Sequence, residues 1–277
     1  FLGSVDTLIA PSKIKTTPHI PALTSKGGLQ MFHKPEKDKS YVCTVDVARG
    51  TTKDYSAFII FDVSKIPYTV VATYKNNEIK PFVFPSIIEK ACKGFNNADV
   101  LVEVNDLGQQ ISDTMQYELE YENMLMTTQR GRAGQLLGAQ FSGRGTSLGV
   151  RMTKQIKKLG CSNFKTLIES DKLIVNDFNI IEEMSTFSRR GTSWQAEDGC
   201  NDDLMTCLII FGWLSNQAYF KEMTNTNVRN QLYIEQEKLI EQDMAPFGFI
   251  DDGTPDEEQS FSDEYGTVWH PVTRKGL

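Results

Sequence analysis

From Tyr41 to Asp46 the chain reads Tyr-Val-Cys-Thr-Val-Asp, and no other stretch constrains the fold as tightly. Apolar and β-branched residues at successive positions suit a strand covered on both faces, as inside a sheet flanked by helices. The closing carboxylate does not suit that setting. An unpaired buried carboxylate costs on the order of several kcal/mol or takes up a proton, so Asp46 belongs at the strand's mouth, where a cation or backbone N–H groups can meet its charge. Asp46 is therefore a candidate metal ligand.

The following runs build a sheet around this strand. A Gly50-Thr-Thr-Lys turn leads into Tyr55–Phe61, and a third apolar run covers Tyr68–Tyr74. Connections this short predict an antiparallel three-strand meander. Helical spacing follows Pro81, with Ile87, Ile88, Ala91 and Phe95 on one side. Ala98-Asp-Val-Leu-Val-Glu103-Val104 is then a further buried strand, and one reached through a helix is expected to run parallel to a strand already in the sheet. It too ends in an acid, so Asp46 and Glu103 are expected to face each other across neighbouring strand ends. The fold class is α/β: a mixed sheet, part antiparallel meander and part parallel, flanked by helices.

Asp106 is placed to cap a helix carrying Ile111, Met115 and Leu119, and residues 123–127 read as a short fifth strand. Arg130 to Thr146 holds five glycines and reads as a mobile loop or hairpin. Ser147 to Leu159 reads as a helix with Leu148, Met152 and Ile156 on one face. A short strand at Leu173 and a helix over Phe178–Phe187 come next. Leu204–Leu214 is apolar almost all round and is read as a buried helix. Asp202 and Asp203 open it. Asp202 is the natural N-cap, which leaves Asp203 in the first turn, free to point toward the sheet end where Asp46 and Glu103 converge.

Charge adds a second theme. The net charge is −7, yet residues 127–168 contain no acid and carry Arg130, Arg132, Arg144, Arg151, Lys154, Lys157, Lys158 and Lys165. A basic segment inside an acidic protein is a candidate surface for nucleic-acid phosphates, with binding that depends on salt and little on sequence. The five cysteines form no Cys-x-x-Cys pair and the histidines stand far apart at 19, 33 and 270, which disfavours zinc and predicts reduced thiols. Hard oxygen ligands remain. Carboxylates from two strands and a helix suit Mg²⁺ chemistry on a phosphodiester, with Asp46, Glu103 and Asp203 as ligands, Asp202 beside them, and Arg49 and Asp54 supporting the site from behind.

Residues 1–40, with prolines at 11, 18, 21 and 35, are expected to form a linker or arm, residues 41–220 the folded domain, and residues 221–277 an acidic tail, eleven acids against Lys238 over 235–264.

Three long motifs carry a resemblance: Val45-Asp46-Val-Ala-Arg-Gly-Thr-Thr-Lys-Asp-Tyr-Ser, Val102-Glu103-Val-Asn-Asp-Leu-Gly-Gln-Gln, and Asn201-Asp202-Asp203-Leu followed by Phe211-Gly-Trp-Leu. Together they resemble the nuclease domain of the large terminase of T-even-type tailed bacteriophages, over roughly residues 1–220. The resemblance implies an RNase H-like fold and a metal-dependent endonuclease that cuts concatemeric double-stranded DNA, with Asp46, Glu103 and Asp203 as catalytic acids and Mg²⁺ as cofactor, Mn²⁺ substituting. It implies portal protein, a small terminase subunit and an N-terminal ATPase domain of the same protein as partners, in the host cell cytoplasm, with residues 1–40 as the hinge from that ATPase. No Gly-x-x-x-x-Gly-Lys-Ser/Thr loop occurs, so no ATP site is expected in this chain. Asn201 stands where many relatives have His. Two other readings remain open from the residues: a Holliday-junction resolvase-like nuclease, and a non-catalytic DNA-gripping or portal-docking module whose acids are structural.

Overall fold

The computed structural model describes residues 6–48, 55–130, 134–138 and 146–225, together with the backbone of 261–262 and 268–269. The segment ahead of Tyr41, read from the sequence as an arm, is packed into the structure. Leu8 and Ile9 are buried, and helix α1 (Pro11–Thr16) inserts Ile14 into the same core. Pro11 opens α1, where a missing N–H leaves nothing unsatisfied. Strands β1 (Thr24–Lys26) and β2 (Leu29–Met31) pair antiparallel and extend the main sheet at its edge. Prolines mark the turns of this segment; its apolar residues decide where it goes.

β3 (Tyr41–Asp46), β4 (Ser56–Asp62) and β5 (Tyr68–Asn76) form the expected antiparallel meander. Helix α2 (Phe84–Gly94) then crosses to β6 (Asp99–Val102), which runs parallel to β3 with Val45 opposite Val102. The strand order β1-β2-β5-β4-β3-β6 leaves β3 internal, as its apolar sequence requires.

Past β6 the details depart from the sequence reading. Helix α3 (Gly108–Asp113) has Leu107, not Asp106, at its cap position, because Asp106 adopts φ +50°. Of the stretch read as a fifth strand, Met124 makes a parallel bridge to Val100 of the main sheet, and Met126 and Thr127 open β7 (Met126–Arg130). β7 pairs with β8 (Gly134–Gly138), from the glycine-rich region, and with β9 (Thr146–Leu148) at its end, in a small antiparallel sheet ordered β8-β7-β9. Helix α4 covers Lys154–Glu169 rather than Ser147–Leu159. Two things delay its start: Gly149 takes φ +73°, and the Thr153 side-chain oxygen accepts the Ile156 N–H at 3.2 Å as an N-cap. β10 (Leu173–Ile174) adds parallel to β5, and α5 (Phe178–Thr186) leads into a hairpin of β11 (Phe187–Arg190) and β12 (Ser193–Ala196). α6 (Asp203–Leu214) follows.

Two apolar layers sandwich the sheet. Val42, Ala57, Ile59, Phe61 and Leu101 pack with the residues of α4, α5 and α6, while Cys43, Val45, Phe58, Ile60 and Val100 pack with α2 and α3. Ten of the eleven residues of α6 from Leu204 to Leu214, all but Thr206, are buried, and each large side chain contributes about 1.5–3 kcal/mol of transfer free energy. Phe211 stacks on Phe61 of β4 at 3.9 Å between ring centroids. The core continues past the expected boundary at 220: Phe220 is fully buried and Thr224 is buried beside it. The chain divides into compact units at residues 1–231 and 232–277, the second containing the paired strands β13 (Phe261–Ser262) and β14 (Val268–Trp269). Among the described residues no helix is long and apolar enough to cross a membrane.

Candidate active site

Strand pleat decides which way the acids point. Side chains alternate between faces, so Asp46 shares the face of Val42 and Thr44, and Thr44 Oγ1 donates to the Cys207 carbonyl of α6 at 2.9 Å. Glu103 continues the parity of Leu101, on that same face. Its N–H donates to the Val45 carbonyl at 2.9 Å, which brings it level with Asp46. Asp203 is the first residue of α6, the helix lying on that face. Two strand ends and one helix start therefore bring Asp46, Glu103 and Asp203 to one side of the sheet.

The carboxyl groups feel one another. Burial, and then the charges of Glu103 and Asp203, push the Asp46 carboxyl well above the usual carboxylate range, and Asp46 and Glu103 share a side-chain hydrogen bond. Burial also raises Glu103, opposed by that bond, by the Lys157 charge and by Asn105, whose Nδ2 donates to Glu103 Oε1 at 2.8 Å. Asn105 Nδ2 reaches the Met152 carbonyl as well, at 3.3 Å, and Glu103 bridges in parallel to Val150. The chain entering α4 thus runs alongside Glu103.

Asp203 is raised by burial and steadied by Lys75. Its Oδ1 accepts the Tyr55 N–H at 3.3 Å, and its Oδ2, buried, lies 3.5 Å from Lys75 Nζ without meeting hydrogen-bond geometry. Asp202 stands at the N-cap position of α6, yet its carboxylate does not cap the helix; its Oδ2 accepts the Ala196 N–H at 3.4 Å. The expected cap is therefore a cap by backbone position only.

Sequence reasoning missed Lys75 and Glu183. Glu183 of α5 is 6% exposed, is paired with Lys75, and accepts the Met205 N–H of α6 at 2.9 Å through Oε2. Burial pushes Glu183 up to about 7 against the pull of Lys75. The signal was there: Ile180, Ile181 and Met184 mark the buried stripe of α5, and Glu183 falls inside it.

The remaining candidates scatter. Arg151, Lys154 and Lys158 are exposed on or before α4, and Lys157 is half-buried with Nζ 5.8 Å from the Phe187 ring centroid. Arg130 ends β7, with its side chain outside the described residues, as are Arg49, Asp54, Arg132 and Arg144 altogether.

Residues 43–218 match the family model of the terminase RNaseH-like domain. The chain belongs to that family. Solved structures agree on the fold of this terminase RNaseH-like domain. The large terminase nuclease of thermophilic phage G20c with bound cobalt is 15% identical, with a TM-score of 0.57 and coverage of 76% of this chain and 97% of that one. The same nuclease with bound magnesium gives the same values. The large terminase nuclease domain of Thermus phage P74-26 is 17% identical, with a TM-score of 0.51 over 72% of this chain and 91% of that one. At these identities the likeness establishes the RNase H-like architecture.

The donor chemistry suits a hard divalent ion: buried carboxylate oxygens, Asp46 raised further by the charges of Glu103 and Asp203, and a buried Asp203 oxygen left without a hydrogen bond. The side chains as they stand are not a finished cage. Among the described residues no group of three or more His, Cys, Asp or Glu is arranged to hold a metal ion. Asp46 is hydrogen-bonded to Glu103, and the Lys75 ammonium lies 3.5 Å from Asp203 Oδ2.

Proposed function

We propose that this terminase RNaseH-like domain is a metal-dependent endodeoxyribonuclease, and that Asp46, Glu103 and Asp203 are its catalytic acids. The observation that carries the reading is the convergence of Asp46, Glu103 and Asp203 on the α6 face of the sheet, where burial raises all three carboxyl groups and the charges of Glu103 and Asp203 raise Asp46 further. Those three acids, with Asp202 adjacent, would hold Mg²⁺ or Mn²⁺. A divalent ion there supplies a water of lowered pKa and neutralises charge that gathers on the departing 3′ oxygen. Asn105 fixes the orientation of Glu103. Lys154 and Lys158, exposed on the helix whose lead-in passes Glu103, would hold the DNA backbone across the acids. Binding through phosphates makes cleavage largely indifferent to sequence, which suits cutting concatemeric viral double-stranded DNA in the host cytoplasm. Portal protein, a small terminase subunit and an ATPase domain are the partners this role requires.

A second reading has one observation in its favour. Lys75 already meets the charge of Asp203, so the acids also fit a DNA-gripping module in which they are structural. Supercoiled plasmid separates the two. The nuclease reading expects nicking and linearisation with Mg²⁺ or Mn²⁺, none with chelator, and loss of at least about 100-fold in rate for Asp46→Asn. Undiminished cutting by that variant, or tight salt-sensitive binding with no metal-dependent cutting by the wild type, would remove the site.

A further inference from the structure

The register of the sheet sets Asp46, Ala57 and Lys75 in one row: Asp46 of β3 pairs with Ala57 of β4, and Ala57 pairs with Lys75 of β5. Directly opposed residues on antiparallel strands point to the same face, so all three face α6. Two strand spacings, roughly 10 Å, separate the first from the last. Ala57 between them fills little of the gap. A lysine whose side chain is only 22% exposed needs groups beside it to meet its charge.

Its partners explain it. Lys75 Nζ pairs with Glu183, lies 3.5 Å from Asp203 Oδ2, and sits 4.6 Å from the centroid of the Tyr55 ring. Glu183 in turn holds the Met205 N–H in the first turn of α6. This arrangement ties β5, α5 and the start of α6 together around one ammonium. Glu183 is satisfied, by Lys75 and by a backbone donor. Asp203 is not: its Oδ2 is buried, near the ammonium, and without a hydrogen bond of good geometry. A group that holds one carboxylate closely and the other loosely is anchored at the first and releasable at the second.

We propose that Lys75 is a positioning residue that acts as a tethered counter-ion for Asp203, keeping the acids compatible with a folded site when no divalent ion is present and competing with the ion for Asp203. This rests on the nuclease reading of the acids. When the ion is bound, Lys75 stays with Glu183 and gives up Asp203. Removing the ammonium then makes the acids more negative and the ion more welcome, the opposite of what the loss of a purely structural ion pair would do to the site.

The test is calorimetric titration of Mn²⁺ into the metal-stripped full chain, beside thermal melts with and without Mn²⁺. Lys75→Met is expected to bind Mn²⁺ about tenfold tighter or more, because a unit charge a few Å from a ligand has been removed. It is also expected to melt lower without metal and to gain more from Mn²⁺ than the wild type does. Lys75→Arg keeps the charge and should restore wild-type affinity. Since Lys75→Met leaves Glu183 buried without its partner, Lys75→Met with Glu183→Gln serves as the variant that folds, and it too should bind more tightly than the wild type. Variants that melt cooperatively yet bind Mn²⁺ no tighter overturn the proposal while leaving the nuclease reading intact. A wild type with no saturable Mn²⁺ binding, indistinguishable from Asp46→Asn, overturns both.

Discussion

Asp46 and Glu103 sit level with each other because the Glu103 N–H donates to the carbonyl of Val45, the residue just before Asp46, at 2.9 Å. One backbone bond between parallel strands thus sets two carboxyl groups together at the edge of a covered sheet. Burial, and then the charges of Glu103 and Asp203, hold the Asp46 carboxyl well above the usual carboxylate range.

That arrangement has a consequence for stability. The folded-state pKa of Asp46 lies above its unfolded value, so its contribution is fully present at pH below the unfolded value near 4 and is lost as pH rises toward the folded value. The metal-stripped protein is expected to be weakened by Asp46 at neutral pH. Asp46→Asn should therefore melt higher than the wild type in chelator at pH 7–8, with the gap closing toward pH 4. Equal melting temperatures across that range would show that the acids do not repel one another.

Asp99 gives the same sign at a place remote from the proposed chemistry. It is the first residue of β6, and burial alone pushes its carboxyl up to about 6. Stability tied to it is lost between about pH 4 and 6, and above pH 6 the cost is on the order of 2 kcal/mol. Asp99→Asn is expected to raise the urea midpoint at pH 8 and leave it unchanged at pH 4, without altering DNA cleavage. A lowered midpoint at pH 8 would mean that the carboxylate is held by a favourable contact.

Helices α4 and α6 meet through glycine. A Cβ on Gly160 would stand 2.3 Å from the Ile209 carbonyl oxygen, and one on Gly212 would stand 2.5 Å from the Gly160 carbonyl oxygen. Alanine is the better helix former by about 0.8–1 kcal/mol, but the clash is with backbone that cannot turn aside. Overpacking should win, at about 1–3 kcal/mol. Gly160→Ala is expected to lose stability in chemical denaturation and, since α6 carries Asp203, to lose cleavage with it.

Much of this was legible in the sequence, for reasons that differ from element to element. The meander and its parallel neighbour follow from runs such as Tyr41–Asp46 and Asp99–Val102, where apolar continuity and short connections leave few alternatives. That Asp46, Glu103 and Asp203 stand at the ends of their elements is readable from acids that close or open apolar runs, where a charge is most easily met. What escaped depended on contacts distant in sequence. Ile14 and Leu29 look like linker residues until the edge strand and α5 they cover are known. Helix α4 starts at Lys154 because Gly149 must pass close to Val102, a constraint that periodicity around Leu148 cannot express. Lys75 and Glu183 are 108 residues apart; the stripe of α5 marks Glu183 as buried, but nothing near it in sequence names Lys75 as its partner.

The basic segment supplies the last prediction, because its lysines are not equivalent. Lys154 and Lys158 are exposed on α4, whereas Lys157 is half-buried and its charge bears on Glu103. An exposed lysine that meets a phosphate releases a counter-ion, so neutralising it reduces the slope of log K against log salt by about 0.9 and weakens all DNA sequences alike. Lys154→Gln and Lys158→Gln, made in an Asp46→Asn background so that binding is read without cutting, should each show that reduction. Lys157→Gln should leave the slope nearly unchanged. In the otherwise wild-type protein it should instead slow cleavage at saturating DNA, because Glu103 loses a cation that favours its ionised, ligand-ready form. A Lys157 variant whose only defect is a shallower salt slope would place that residue with its exposed neighbours on the DNA and not beside the acids.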